Sequence, residues 1–187
     1  MTLSLKKISG LEIWLNPETL EIRFGDNISV GKKSVRLWQE MKEFVENPSA
    51  EPTREEIYYV FRNVSETRDA GRIKEKELRY DITVIPTGLF VSKHKEYFRT
   101  AGHYHPPKAE TAVPYPEVYE VLYGRGQFLI QRRDPNNPAI LSEVYIVEAG
   151  PGEKVLMPPG FGHISVNTGK DALVLANWIA DNFQYDY

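Results

Sequence analysis

From residue 57 onward the chain breaks into runs of about five to eight β-favouring residues, and turn signals stand at nearly every break. The runs are IYYVFRNV, LRYDITVIPTG, KEYFRTAGHYH, PEVYEVLYG, GQFLIQRR, LSEVYIVEA, EKVLMPPG, GHISVN and ALVLANWI. Between them lie Asp-Ala-Gly-Arg at 69–72, Gly-Arg-Gly at 124–126, the Asp134 to Pro138 stretch, Gly-Pro-Gly at 150–152 and Asn-Thr-Gly at 167–169. No long helical period intervenes. A parallel sheet needs crossover helices, so this spacing predicts an antiparallel sandwich or barrel.

The first 56 residues differ. Ser34 is a candidate cap before VRLWQEMKEFVEN, in which Trp38, Met41 and Val45 recur at helical spacing and after which Pro48 stops the helix. The expectation is an N-terminal extension over 1–56 with one short helix, then a β-barrel over 57–187, in one structural domain overall. The charged stretch from Arg68 to Arg79 mixes Glu with Lys and Arg and reads as a solvated hairpin rather than a nucleic-acid arm.

Composition narrows the chemistry. The chain has no Cys, which excludes disulfides, thiolate nucleophiles and thiolate metal sites, so any metal must be held by its four His and its carboxylates. A net charge of −3 argues against coating nucleic acid. No apolar run reaches the roughly 18 residues of a membrane span, and MTLSLKKISG lacks the apolar core of a secretory signal. The expectation is a soluble, cytoplasmic protein with no nucleic-acid or membrane partner.

His103 and His105 flank Tyr104, and alternate strand residues share a face, so both imidazoles can point inward while Tyr104 points away. An isolated His-x-His is as readily a surface pair. The downstream sequence adds Glu117 at the start of EVYEVL, six residues before Gly124, and His163 after the turn in PPGFGHISVN. Three imidazoles and one carboxylate suit Fe²⁺, Mn²⁺, Ni²⁺ or Zn²⁺ and leave open positions on an octahedral ion. His94 has no partner and reads as a surface residue.

Gly152, Pro158, Gly160, His163 and Asn167 match the second cupin motif at every defined position. His103, His105, Glu117 and Gly124 match the first, except that eleven residues, PPKAETAVPYP, separate His105 from Glu117. Glu110 lies at the ordinary distance but in a Pro-broken loop with no following Gly, so Glu117 is preferred. TAGHYH, PEVYEVLYGRG, GKKSVR at 31–36, IYYVF at 57–61 and DITVIPTG at 81–88 together resemble the archaeal cupin-type glucose-6-phosphate isomerases over most of 30–181.

That resemblance implies a mainly β cupin fold, a double-stranded β-helix or jelly-roll barrel. It implies one divalent ion per chain, Fe²⁺ first, on His103, His105, Glu117 and His163, and a sugar phosphate on Tyr58, Thr83, Thr100, Gly102 and Tyr119. It also implies Glu117 as the proton shuttle, with Tyr119 beside it, and a homodimer in glycolysis and gluconeogenesis. On the residues alone Tyr119 is equally a core aromatic, and Thr83 and Thr100 ordinary strand residues. A phosphate would rest on hydroxyls, the Gly102 N–H and Lys32, Lys93 or Arg99, cations that also read as a solvated face. A family His near residue 180 has no counterpart, since ADNFQYDY offers only Gln184 or Tyr185. The alternatives are an iron-dependent cupin dioxygenase with the same ligand set and a non-catalytic sugar-binding cupin. Neutral imidazoles are required for coordination, so activity is expected to fall as the pH drops through about 6.5.

Overall fold

A computed structural model describes residues 1–93 and 95–187; the surface expectation for His94 lies outside the described residues. Six antiparallel strands form the main sheet in the order Lys154–Met157, Glu117–Tyr123, Leu173–Ala180, Leu78–Ile85, Glu56–Arg62, Lys32–Leu37. A second sheet pairs Leu141–Ala149, Gly126–Arg133 and Gly162–Val166. The sheets face each other across one apolar core, to which Val60, Tyr119, Val121 and Leu175 come from the first and Phe128 and Ile130 from the second. This is the mainly β, antiparallel barrel that the turn spacing predicts, with the two facing sheets of the jelly roll that the resemblance implies.

Two strands of the main sheet are buried on both faces. Along Leu78–Ile85 every residue after the first is buried, and Glu56–Arg62 holds five consecutive buried residues. Their outward side chains, Tyr59, Phe61, Ile82 and Val84, pack with Leu5, Ile13 and Leu15 in a second apolar cluster. The cover is a small sheet of Leu3–Ser4, Ile13–Asn16 and Glu21–Phe24.

The N-terminal segment therefore holds more strand than helix, which corrects the helical extension expected from the sequence. Ser34 caps nothing. It sits in Lys32–Leu37 opposite Val60, and the helix begins four residues later, at Trp38–Met41, with Glu40 Oε2 accepting the Leu37 N–H at 2.8 Å. Pairing with Glu56–Arg62 outweighs the local helical signal over 35–37. The helical spacing still identified the buried side, because Trp38 and Met41 enter the core. The expected hairpin over 68–79 is also corrected. Ala70–Glu75 is a short helix, and the strand starts only at Leu78.

Candidate metal centre

The stretch expected as a strand through TAGHYH is regular only at Glu96–Tyr97. Beyond it the backbone touches the Gly162–Val166 strand through bridges at Arg99 with Val166 and His103 with His163. Thr100 Oγ1 takes the place of a backbone acceptor for the Ser165 N–H, at 3.0 Å. That irregular ladder holds His103 and His163 opposite each other, with ring centroids 4.6 Å apart. Tyr104 points to the other side. Its hydroxyl accepts from Gln131 Nε2 at 3.1 Å, and its ring lies so close to Gly162 that a β-carbon there would stand 2.5 Å from it. The alternation argument for His-x-His thus holds without a regular strand.

His103, His105 and His163 converge from this side, and Glu117 reaches them from the main sheet, with the four ligand atoms all within 4.8 Å of one another. Glu117 Oε2 lies 3.1 Å from His163 Nε2 and 3.4 Å from His105 Nε2. Neither contact has hydrogen-bond geometry. Nε2 of all three imidazoles and Oε2 of the carboxylate are buried with no hydrogen-bond partner among the described residues. Burying such atoms unpaired costs about 1–3 kcal/mol each, and an ion at their focus would satisfy all four.

The surrounding residues fix that focus. Asn177 Nδ2 donates to Glu117 Oε1 at 2.6 Å, which leaves Oε2 for the histidines. His105 Nδ1 lies 2.8 Å from the Tyr115 carbonyl and His103 Nδ1 3.3 Å from that of Ala101. With Nδ1 as the donor, Nε2 becomes the free lone pair that a ligand needs. Burial, and then the neighbouring His163, lower the His103 pKa to about 3. The fold thus favours the neutral His103 imidazole that coordination requires. Burial pushes the Glu117 carboxyl up, but the His105 and His163 rings outweigh it and hold the pKa at about 2.

The Glu117 to Gly124 spacing placed Glu117 at the head of Glu117–Tyr123, and Tyr119 shares its inward face. Tyr119 is buried, 5.7 Å from the His163 ring between centroids. Burial first, and the Glu117 carboxylate next, raise its pKa well above the phenol range. Tyr58, Thr83, Thr100, His103, Glu117 and Tyr119 line one cavity of about 50 Å³. Gly102 instead lines an adjoining cavity of about 230 Å³ with His103 and His163. It packs on Ile164, whose Cγ2 would stand 2.9 Å from an added β-carbon.

Arg99, a sequence candidate for phosphate, is committed elsewhere: it donates to the Phe44 carbonyl and, at 3.1 Å, to Glu96 Oε2. Asn167 closes the second motif as a structural residue. Its buried Nδ2 donates to the carbonyls of Ile85, Pro86 and Asp171, which ties the strand ends together.

The sequence reading singled out none of Arg36, Asn177, Arg62, Arg79 and Asp81, although Arg36 ends the motif GKKSVR and Asp81 begins DITVIPTG, and Asn177 stands as a polar residue inside the apolar run ALVLANWI. Tyr185, named only as a possible substitute, lies over the histidines, 4.3 Å from His103 between ring centroids, with its hydroxyl on Arg79.

Comparison with known proteins gives the family. The family model described as Glucose-6-phosphate isomerase (GPI) matches residues 35–187. The chain belongs to that family. A glucose-6-phosphate isomerase from Thermococcus litoralis is 32% identical over 82% of this chain and 73% of its own length. The Pyrococcus furiosus protein of the same name is 31% identical over 90% of this chain and 82% of its own. An oxalate oxidase structure aligns with a TM-score of 0.49 and 15% identity over 70% of this chain and 54% of that one. Among the described residues, no helix is long and apolar enough to cross a membrane.

Proposed function

We propose that this chain is a metal-dependent isomerase that interconverts glucose 6-phosphate and fructose 6-phosphate. The observation that carries the reading is the focus of four buried, unpartnered donors on His103, His105, Glu117 and His163, in a chain of this family. Three imidazoles and a carboxylate fit a divalent ion of the first transition row, Fe²⁺ by preference, with Mn²⁺, Ni²⁺ and Zn²⁺ as alternatives. When bound, the ion supplies Lewis-acid stabilisation of the charge that develops on the sugar oxygens.

The chain's own residues do the rest. Glu117 takes the proton from C2 of the open-chain aldose and returns it to C1, while the O2 hydrogen passes to O1. The C1 carbonyl becomes a hydroxyl and the C2 hydroxyl a carbonyl, so atoms and charge balance. Asn177 holds Oε1, so Oε2 is the oxygen that does this work when it loosens from the ligand cluster. Tyr119, kept protonated by burial and by Glu117, offers its O–H to a sugar hydroxyl. Thr100, whose oxygen already accepts from Ser165, keeps its O–H to donate to the phosphate alongside Tyr58, Thr83 and the Gly102 N–H. We place the activity in the cytoplasm, in glycolysis and gluconeogenesis, and in a homodimer. Sedimentation equilibrium tests the last point.

The deciding assay strips the protein with chelator, reloads it with each of the four ions and follows fructose 6-phosphate turnover, with His103→Ala as control. Ion-dependent turnover that is lost in the variant is expected. A protein that binds the ions yet turns over nothing overturns the reading. Solvent hydrogen at C2 of the product is the mark of the Glu117 shuttle, and a hydride shift would leave none.

A further inference from the structure

The 50 Å³ cavity beside Glu117 is far smaller than the roughly 300–1,000 Å³ of small-molecule sites. Two residues line both this cavity and its 230 Å³ neighbour, and one of them, His103, belongs to the ligand cluster, which leaves Tyr187 as the divider that can move. Tyr187 lines both, packed near His103 and Phe44 with ring centroids 6.0 and 5.9 Å away. Its hydroxyl accepts a hydrogen bond from Arg36 Nη2 at 3.0 Å.

Arg36 lines the cavity at the edge of the main sheet, directly opposite Tyr58. Its Nε donates to the Tyr58 hydroxyl at 3.3 Å, and the same hydroxyl accepts the Ala101 N–H at 3.4 Å. The other guanidinium group of this cavity, Arg62, and its neighbour Arg79 are neutralised. Arg62 and Arg79 share Asp81 Oδ2 at 2.7 and 2.9 Å, and Arg79 also meets Asp181 at 3.2 Å. Arg36 is different. Its Nε and Nη2 hydrogen bonds end on neutral phenols, and its carboxylate neighbour, Glu40, stands 3.6 Å off with its other oxygen on the Leu37 N–H. A cation in this state, with Tyr58, Thr83 and Thr100 around it, offers a dianion more than it offers a phenol.

We infer that Arg36 recognises the phosphate group of the substrate, and that it does so by exchanging the Tyr187 phenol for a phosphate oxygen. This rests on the isomerase reading. The exchange frees Tyr187 from its position between the two cavities and joins them into one space running from the ligand cluster to the phosphate. Binding and opening are then one event, driven by the charge that distinguishes a sugar phosphate from a sugar.

The test uses the full, metal-loaded chain. Inorganic phosphate binding is titrated calorimetrically, and KM and kcat for fructose 6-phosphate are measured on the wild type, Arg36→Met, Arg36→Lys and Tyr187→Phe. Arg36→Met should weaken phosphate binding and raise KM by about 10- to 100-fold, the loss of a charged hydrogen bond, with a much smaller change in kcat. Lys restores part of the affinity, because it keeps the charge and loses the fork. Tyr187→Phe, which removes the competitor, should bind phosphate at least as tightly as the wild type. Unchanged phosphate affinity in folded Arg36→Met overturns the assignment. If that variant does not fold, wild-type affinity and KM in Arg36→Lys together with weakened binding in Tyr187→Phe do the same. If the wild type turns over no sugar phosphate but loses phosphate binding with Arg36, the isomerase reading fails while the anion site stands.

Discussion

The two faces of the six-stranded sheet are made by alternate residues of the same strands and have opposite chemistry. Outward from Leu78–Ile85 and Leu173–Ala180 point Ile82, Val84, Val174 and Ala176, buried in an apolar cluster with Leu5, Ile13 and Leu15. Inward point Asp81, Thr83 and Asn177, and the register sets Tyr119, Asn177 and Asp81 in one row across three strands. Where the N-terminal sheet covers it the outer face excludes water as the inner one does, yet only the inner face accepts the cost of burying charged groups, which is several kcal/mol for a poorly paired charge. Stability alone does not call for Glu117, the histidines or the three arginines there. Departures of this kind from a consistent core mark a functional site.

The sharpest way to break the contrast is an exchange that changes chemistry without volume on the inner face. Glu117→Gln keeps the Asn177 contact and removes the base. We expect kcat to fall by about 10²- to 10⁴-fold while circular dichroism stays native. Wild-type turnover would mean that the carboxylate only ligates. The outer face should answer in the opposite way. Ile82→Ala empties a fully buried site and is expected to cost about 2–4 kcal/mol of stability in denaturant unfolding, with kcat of the folded fraction unchanged. A matching loss of kcat would show that the two faces are not separable.

This contrast also explains how much the sequence disclosed. The cupin motifs depend on spacing, and it survived in three dimensions because Glu117 to Gly124 is one strand and its closing turn, and Gly152 to Asn167 is two short strands joined by one tight turn. The period-two pattern gave the barrel strands for the same reason. It failed where tertiary pairing decides. Ser34 to Leu37 has a plausible helix start, yet it is held as a strand by Glu56–Arg62. Arg62 carries no motif that separates it from surface cations, and Arg36 is marked only as the end of GKKSVR; the fold turns both into the cavity. Tyr185 and Tyr187 come to His103 from more than 80 residues along the chain, a distance across which local patterns say nothing.

The inner face should also respond to acid in a way the outer face cannot. His103 is lowered to about 3 in the fold against 6.5 unfolded, so below 6.5 the unfolded chain binds a proton that the fold refuses, and stability falls with pH. Glu117, held at about 2, adds its contribution above its unfolded value of 4.5 and loses it as pH falls through 2, which is the same direction. At pH 5.5, about one unit into the His103 window, the metal-free protein should be less stable than at pH 7.5 by about 1 kcal/mol. Thermal unfolding across this range measures it. A flat profile would mean that His103 is protonated in the fold as readily as in the unfolded chain. His103→Gln should remove the His103 part of the slope, and no substitution on the outer cluster should.

The smallest effect tests whether the outer face matters where nothing covers it. Val118 lies between Glu117 and Tyr119, and its side chain points outward at 36% exposure, opposite Leu156 and Trp178 of the neighbouring strands. Val118→Thr keeps the β-branched shape and changes only exposed surface, so stability should move by no more than about 0.5 kcal/mol and KM and kcat not at all. The residue is the backbone neighbour of both inward groups, and any distortion of the strand there would be transmitted to Glu117. A silent Val118→Thr beside a disabling Glu117→Gln would therefore assign the chemistry to the inward side chains rather than to the strand that carries them. A Val118→Thr that lowers kcat would instead make the strand's precise pleat, held by Asn177 and the paired Leu173–Ala180 strand, part of what positions the carboxylate.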